Sequence, residues 1–201
     1  MASGSRFLRA LPWVFALFAA ALIAACGPSA PVFKSTDITG ADYGREFALT
    51  DHNGKPRTLA DFRGKVVVIF FGYLFCPDVC PTTLAELKAV LDELGADAGR
   101  VQVLFVTVDP ARDTREALAQ YATGFHPSFL GLYGDAEATV RVAKEFKVFY
   151  QKVPASAQGS YSVDHTAGTY VIDPQGRLRL YVSLGQAAGI APDIRILLNG
   201  G

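Results

Sequence analysis

Two cysteines four residues apart, in Gly72-Tyr73-Leu74-Phe75-Cys76-Pro77-Asp78-Val79-Cys80-Pro81, carry the densest reactive chemistry in this chain of 201 residues. Thiols at this spacing can close a disulfide or hold one soft metal ion, since a helical turn would put their Cα atoms about 6 Å apart. The loop such a disulfide closes is very short, and the chain-entropy gain of a cross-link shrinks with its loop. Stability is therefore a weak reason for the pair, and redox or metal chemistry a stronger one. A metal needs further donors, and the inventory is small: His52, His126, His165, and no Met beyond Met1. Thiolates with an imidazole are soft ligands that suit copper(I), whereas tetrahedral zinc wants a fourth donor. Spacing alone does not choose among the histidines. His52 lies in a turn sequence, His126 precedes Pro127, and His165 sits just ahead of an apolar run at 169–172. Copper binding and thiol–disulfide exchange both stay open on this reading.

The elements that must position these residues are legible on either side of them. Val66-Val67-Val68-Ile69-Phe70-Phe71 is a continuous β-branched and aromatic run, the pattern of a central strand buried on both faces. Leu84, Leu87, Leu91 and Leu94 follow at helical spacing. The cysteines thus occupy the carboxyl end of a strand, where open α/β sheets place ligands. Pro77, Pro81 and a cap at Thr83 with Glu86 predict that regular helix begins after Cys80, leaving both thiols in a constrained loop where the helix dipole favours thiolate. A second buried strand is read at 101–108, with Asp109 and Arg112 bracing the turn after it and Asp113 with Glu116 forming a capping box. Tyr73 and Phe75 read as core aromatics or as shields of the site. A hairpin is expected around Asp51-His52-Asn53-Gly54, a short strand at 129–133, a helix at 135–146 containing Val140 and Ala143, and a loop at 155–159. A closing hairpin is expected about Asp173-Pro174-Gln175-Gly176. This order makes a mixed α/β sheet with an N-terminal β-hairpin.

Nineteen Lys and Arg balance nineteen Asp and Glu, so no basic excess exists to neutralise nucleic-acid phosphates, and no nucleic-acid partner is expected. The length suits one globular domain with a short appendage. Arg6 and Arg9 precede an apolar run over 11–25, which is short for a membrane span and right for the core of a signal peptide. Ile23-Ala24-Ala25-Cys26 resembles a bacterial lipobox, in which the cysteine is acylated after cleavage and becomes the new N-terminus. Residues 1–25 are thus read as a lipoprotein signal, 26–45 as a Pro- and Gly-rich tether, and 46–201 as the domain. Export with only Cys76 and Cys80 left would ordinarily mean a disulfide framework.

Phe71-Gly72-Tyr73 leading into Cys76-Pro77-Asp78-Val79-Cys80-Pro81, with Asp61-Phe62-Arg63-Gly64-Lys65 upstream, Val108-Asp109-Pro110 and Arg112-Asp113-Thr114 between, and Val163-Asp164-His165 downstream, together resemble the Sco/SenC family over about residues 35–183. The resemblance implies a thioredoxin-like α/β fold, a mixed sheet flanked by helices. It implies one copper per domain held by Cys76, Cys80 and His165, with Cys76 and Cys80 also able to form a disulfide. It further implies a metallochaperone serving the copper A centre of cytochrome c oxidase, with oxidase subunit II, a copper donor and a thiol reductant as partners. The expected place is the extracytoplasmic or periplasmic face of a bacterial envelope, held to the membrane by lipid at Cys26. Leu74 stands where members commonly have Thr, the tail after Gly185 is short and Gly-rich, and many members carry a transmembrane anchor instead. The competing reading on the same fold is an enzyme, an extracytoplasmic thiol–disulfide oxidoreductase acting on cysteines of the oxidase or other exported proteins. Such enzymes usually space their cysteines more closely and place Pro before the later strand, where this chain has His165-Thr166. A peroxiredoxin would want Pro and Thr where Ile69 and Tyr73 stand.

Acylation at Cys26 is expected to give a mature chain that begins at this residue. Mass spectrometry of the membrane-extracted protein checks this, and an N-terminus retaining Arg6 would contradict it.

Overall fold

A computed structural model describes residues 31–154 and 160–201; the signal segment, Cys26 and the loop read at 155–159 lie outside the described residues. The strands are β1 (Thr36–Asp37), β2 (Ala48–Asp51), β3 (Pro56–Thr58), β4 (Val66–Gly72), β5 (Val101–Thr107), β6 (Leu130–Tyr133), β7 (Tyr150–Pro154), β8 (Tyr161–His165), β9 (Thr169–Ile172) and β10 (Leu178–Val182). The helices are α1 (Val79–Leu94), α2 (Arg115–Phe125), α3 (Ala136–Glu145) and α4 (Ala191–Leu198). All of these elements belong to one compact unit, Phe33–Gly201. Among the described residues no helix is long and apolar enough to cross a membrane.

Eight strands form one mixed sheet in the order β1-β10-β9-β4-β5-β6-β2-β3, while β7 and β8 pair only with each other. The run read as a central strand is β4, parallel to β5 on one side and antiparallel to β9 on the other. Its side chains alternate between two cores. Val66, Val68 and Phe70 pack on one face with Leu84, Leu87 and Leu91 of α1 and Ile194 and Leu197 of α4. Val67, Ile69 and Phe71 pack on the other face with Phe47, Phe62, Val142 and Phe146. A strand covered on both sides has no polar face, which is why its sequence does not alternate.

Both hairpin signals hold, and each is built on a buried aspartate. Asp51 accepts the Asn53 and Lys55 N–H groups and pairs with Arg57, while Asp173 accepts the Gln175 and Arg177 N–H groups and pairs with Arg177 and Arg179. One expectation is corrected. The stretch read as a tether is, from Phe33 onward, part of the compact unit: Thr36 and Asp37 pair with Tyr181 and Leu180, and the Lys34 and Ser35 N–H groups donate to the two carboxylate oxygens of Asp193 at 2.8 and 2.9 Å. The exposed edge of β10 supplied a ladder that hydropathy cannot reveal. The Gly-rich tail contains α4, whose Ile194, Leu197 and Leu198 are buried beside Ile190. Val140 faces solvent; Thr139, Val142 and Ala143 are the buried face of α3.

Asp193 is buried and tied by two charge-assisted bonds to the strand-forming N-terminal segment, so Asp193→Ala should destabilise the domain by about 2–3 kcal/mol. Denaturant unfolding of the two proteins checks this.

Candidate metal centre

β4 ends at Gly72, where nothing larger fits. A Cβ at this position would lie 2.7 Å from the Cys80 sulfur and 2.8 Å from the Phe105 ring. The chain then turns through 73–78 into α1, and Cys80 sits inside the first turn of that helix, not before it. Pro81 is accommodated in the same turn instead of blocking it, because the first-turn N–H groups have no intrahelical acceptor to lose. Thr83 is buried and is not a cap. Cys80 is fully buried and Cys76 half-buried, both as free thiols, and the Cys80 N–H donates to the Cys76 sulfur at 3.4 Å.

The third donor arrives on β8. His165 Nε2 is 3.6 Å from the Cys80 sulfur, and its Nδ1 lies 3.0 Å from the Thr166 carbonyl oxygen. A carbonyl only accepts, so Nδ1 carries the proton and Nε2 turns its lone pair toward the thiols. Burial lowers the His165 pKa and favours this neutral ring. Phe70 and Tyr73 meet the imidazole edge-on, with centroids 6.2 and 5.9 Å away, and hold its plane. The donor atoms of Cys76, Cys80 and His165 all lie within 4.8 Å of one another, and among the described residues no other group of three His, Cys, Asp or Glu is so arranged. The other two histidines are occupied elsewhere. His52 is buried with Nδ1 accepting the Gly131 N–H at 3.0 Å, and His126 Nδ1 meets the Ser128 hydroxyl at 2.8 Å.

Electrostatics differ from the sequence reading at two residues. Burial pushes the Cys80 thiol well above the usual range, and the neighbouring Cys76 adds to the effect. The first turn of α1 does not offset that desolvation, so Cys80 keeps its proton until something replaces it. Asp113 is not the cap of α2. Thr114 is, its side chain accepting the Ala117 N–H, while Asp113 turns inward to accept the Leu74 N–H at 3.1 Å and the Thr107 hydroxyl. Asp113 thereby ties the cysteine loop to the end of β5. Burial raises its pKa to about 6. Tyr73 is buried as the core reading had it, but Phe75 is 62% exposed. The β7–β8 hairpin was not legible, because its alternating strands are mostly exposed and lie outside the main sheet.

Residues 35–198 match the SCO1/SenC family. The SCO2 homolog of Bos taurus mitochondria is 43% identical over 145 residues, which is 71% of this chain and 54% of that protein. The chain thus spans about half the length of the mitochondrial relatives it matches. Among solved structures, apo Sco1 from Thermus thermophilus is 44% identical with a TM-score of 0.74, covering 84% of this chain and 99% of that one. Copper-bound ScoI from Bradyrhizobium japonicum is 40% identical with a TM-score of 0.71, covering 77% of this chain and 99% of that one. The sheet and its flanking helices are the thioredoxin-like fold that the sequence resemblance implied.

Because Asp113 titrates near 6 in the fold and near 3.8 when exposed, the native state binds the proton more tightly than the unfolded chain. Stability contributed by the protonated form is therefore present below about pH 4 and lost as pH rises toward 6. Asp113→Asn keeps an acceptor for the Leu74 N–H and should flatten the stability profile of the copper-free protein over this window. Urea unfolding at stepped pH values checks the slope.

Proposed function

The chain belongs to the SCO1/SenC family, and from that premise we propose that it is an extracytoplasmic copper metallochaperone that binds one copper through Cys76, Cys80 and His165 and serves the copper A centre of cytochrome c oxidase. One observation carries this reading: two thiols and an imidazole lone pair converge within 4.8 Å at the end of the central strand. That donor set is soft, of low coordination number, and suited to copper(I); the imidazole nitrogen adds what copper(II) prefers. Copper is the cargo here, and Cys80 must give up its proton as copper enters, so loading releases protons and weakens as pH falls. Half-exposed Cys76 is the donor an incoming ligand reaches first, while fully buried Cys80, with half-buried His165, holds the ion until exchange proceeds. The receiving partner is oxidase subunit II. A separate copper donor fills the site, and a thiol reductant restores Cys76 and Cys80 when an oxidising compartment closes their disulfide. Lipid at Cys26 keeps the domain at the membrane on the outer face of the bacterial envelope.

Replacing His165 with Ala should weaken copper(II) binding strongly and copper(I) binding modestly, whereas Cys76→Ser or Cys80→Ser should damage both. His126→Ala is the control, since His126 engages only Ser128 and the Phe129 ring. Anaerobic titration of the reduced residues 27–201, with metal quantified after free copper is removed, measures this. If no substitution matters, the copper reading fails and the thiol–disulfide oxidoreductase takes its place.

A further inference from the structure

The hairpin that delivers His165 is held to the domain by an arginine. β7 and β8 share no ladder with the main sheet, and a lone two-stranded hairpin is marginal by itself. Its position must therefore come from side chains. Tyr161, Val163 and His165 lie on one face of β8 by strand periodicity, and each meets the domain. Val163 is buried in one of the two cores, His165 meets Cys80, and Tyr161 meets Arg112.

Arg112 touches each of the three segments whose relative placement sets the site. Toward the turn after β5, its Nε donates to Asp109. Toward the hairpin, its Nη1 donates to the Tyr161 carbonyl at 2.8 Å, and its Cζ lies over the Tyr161 ring 3.5 Å from the centroid. Toward the cysteine loop, the same guanidinium stands 4.8 Å from the centre of the Phe75 ring and 5.8 Å from that of Tyr73. Asp109 is fully buried and closes the cluster by accepting the Tyr161 hydroxyl at 2.8 Å, with Lys152 of β7 at 3.6 Å. Arg112 Nη2 is buried with no acceptor among the described residues. An orphaned donor is costly, and cation–π contacts with the rings around it help the group keep its place.

We propose that Arg112 is a positioning residue that clamps β8 through Tyr161 and so fixes His165 against the two thiols, setting the copper(II) affinity of the site. The inference rests on the copper reading above, and its consequences fall on the donor that only copper(II) needs. Copper(I), satisfied by two sulfurs, is nearly indifferent to the clamp.

The test combines copper binding with hydrogen exchange on residues 27–201. Arg112→Met should weaken copper(II) about tenfold or more, the range found when supports of metal ligands are removed. It should also shift the sulfur-to-copper(II) charge-transfer band and leave copper(I) affinity near wild type. Arg112→Lys should fail to restore copper(II) binding, because an ammonium neither forks nor stacks flat. Tyr161→Phe, which keeps the ring and loses the hydroxyl's contacts with Asp109 and Lys152, should show a smaller loss of the same kind. In a His165→Ala background, Arg112→Met should have no further effect on copper(II) affinity. In the copper-free protein, amide exchange over 161–165 should rise about tenfold or more in Arg112→Met while β4 stays protected. Wild-type copper(II) affinity in Arg112→Met, full rescue by Lys, or a loss that persists without His165 would each overturn the clamp. A wild-type chain that takes up no copper would sink the copper reading instead, and unchanged exchange over 161–165 would then overturn the clamp on its own.

Discussion

With every residue of β4 removed from water on both faces, the chain leaves the sheet at Gly72 in a place where space, not polarity, is the limiting quantity. Phe105 and the Cys80 sulfur occupy what a side chain at 72 would need, so α1 can bring its first turn directly over the strand end. That close approach buries Cys80 completely and leaves Cys76 half-open, from two residues of one type only four positions apart. The asymmetry leaves one sulfur reachable and the other enclosed.

The same burial governs protons. The buried Cys80 thiol stays neutral, the half-buried His165 imidazole is shifted toward its neutral form, and the Thr166 carbonyl decides which ring nitrogen carries the hydrogen. A low-dielectric pocket lined by Phe70 and Tyr73 tolerates such neutral groups. Asp113, also buried, serves the loop by accepting the Leu74 N–H and titrates high for the same reason. One physical cause thus sets the starting protonation of Cys80, of His165 and of the carboxyl that ties down the cysteine loop.

Placement of the third donor follows a different rule. Backbone ladders fix the cysteines through β4 and α1, whereas His165 is carried on strands that no ladder joins to the sheet. Its location depends on the short link to β9, the Val163 contact and the polar and aromatic cluster around Arg112. Side-chain contacts of this sort are easier to alter than a sheet ladder.

Much of this was legible in the chain itself. The uninterrupted apolar run marked β4 because a strand covered on both faces needs no polar alternation, and Leu84, Leu87, Leu91 and Leu94 marked α1 because a helix has one buried stripe. The cysteine spacing announced soft-metal or redox chemistry, and the family resemblance selected His165 from three histidines that spacing could not separate. Other features were decided only in three dimensions. β1 forms because β10 offers an edge, and Asp113 faces the cysteine loop because Thr114 already caps α2. Proline at 81 falls where a helix tolerates it, and Arg112 reaches a hairpin about fifty residues away. Periodicity and spacing encode what a segment does with its immediate neighbours. Which edge is open, which ring stacks on which guanidinium, and how far burial moves a proton depend on partners distant in sequence, and those are fixed only when the chain has packed.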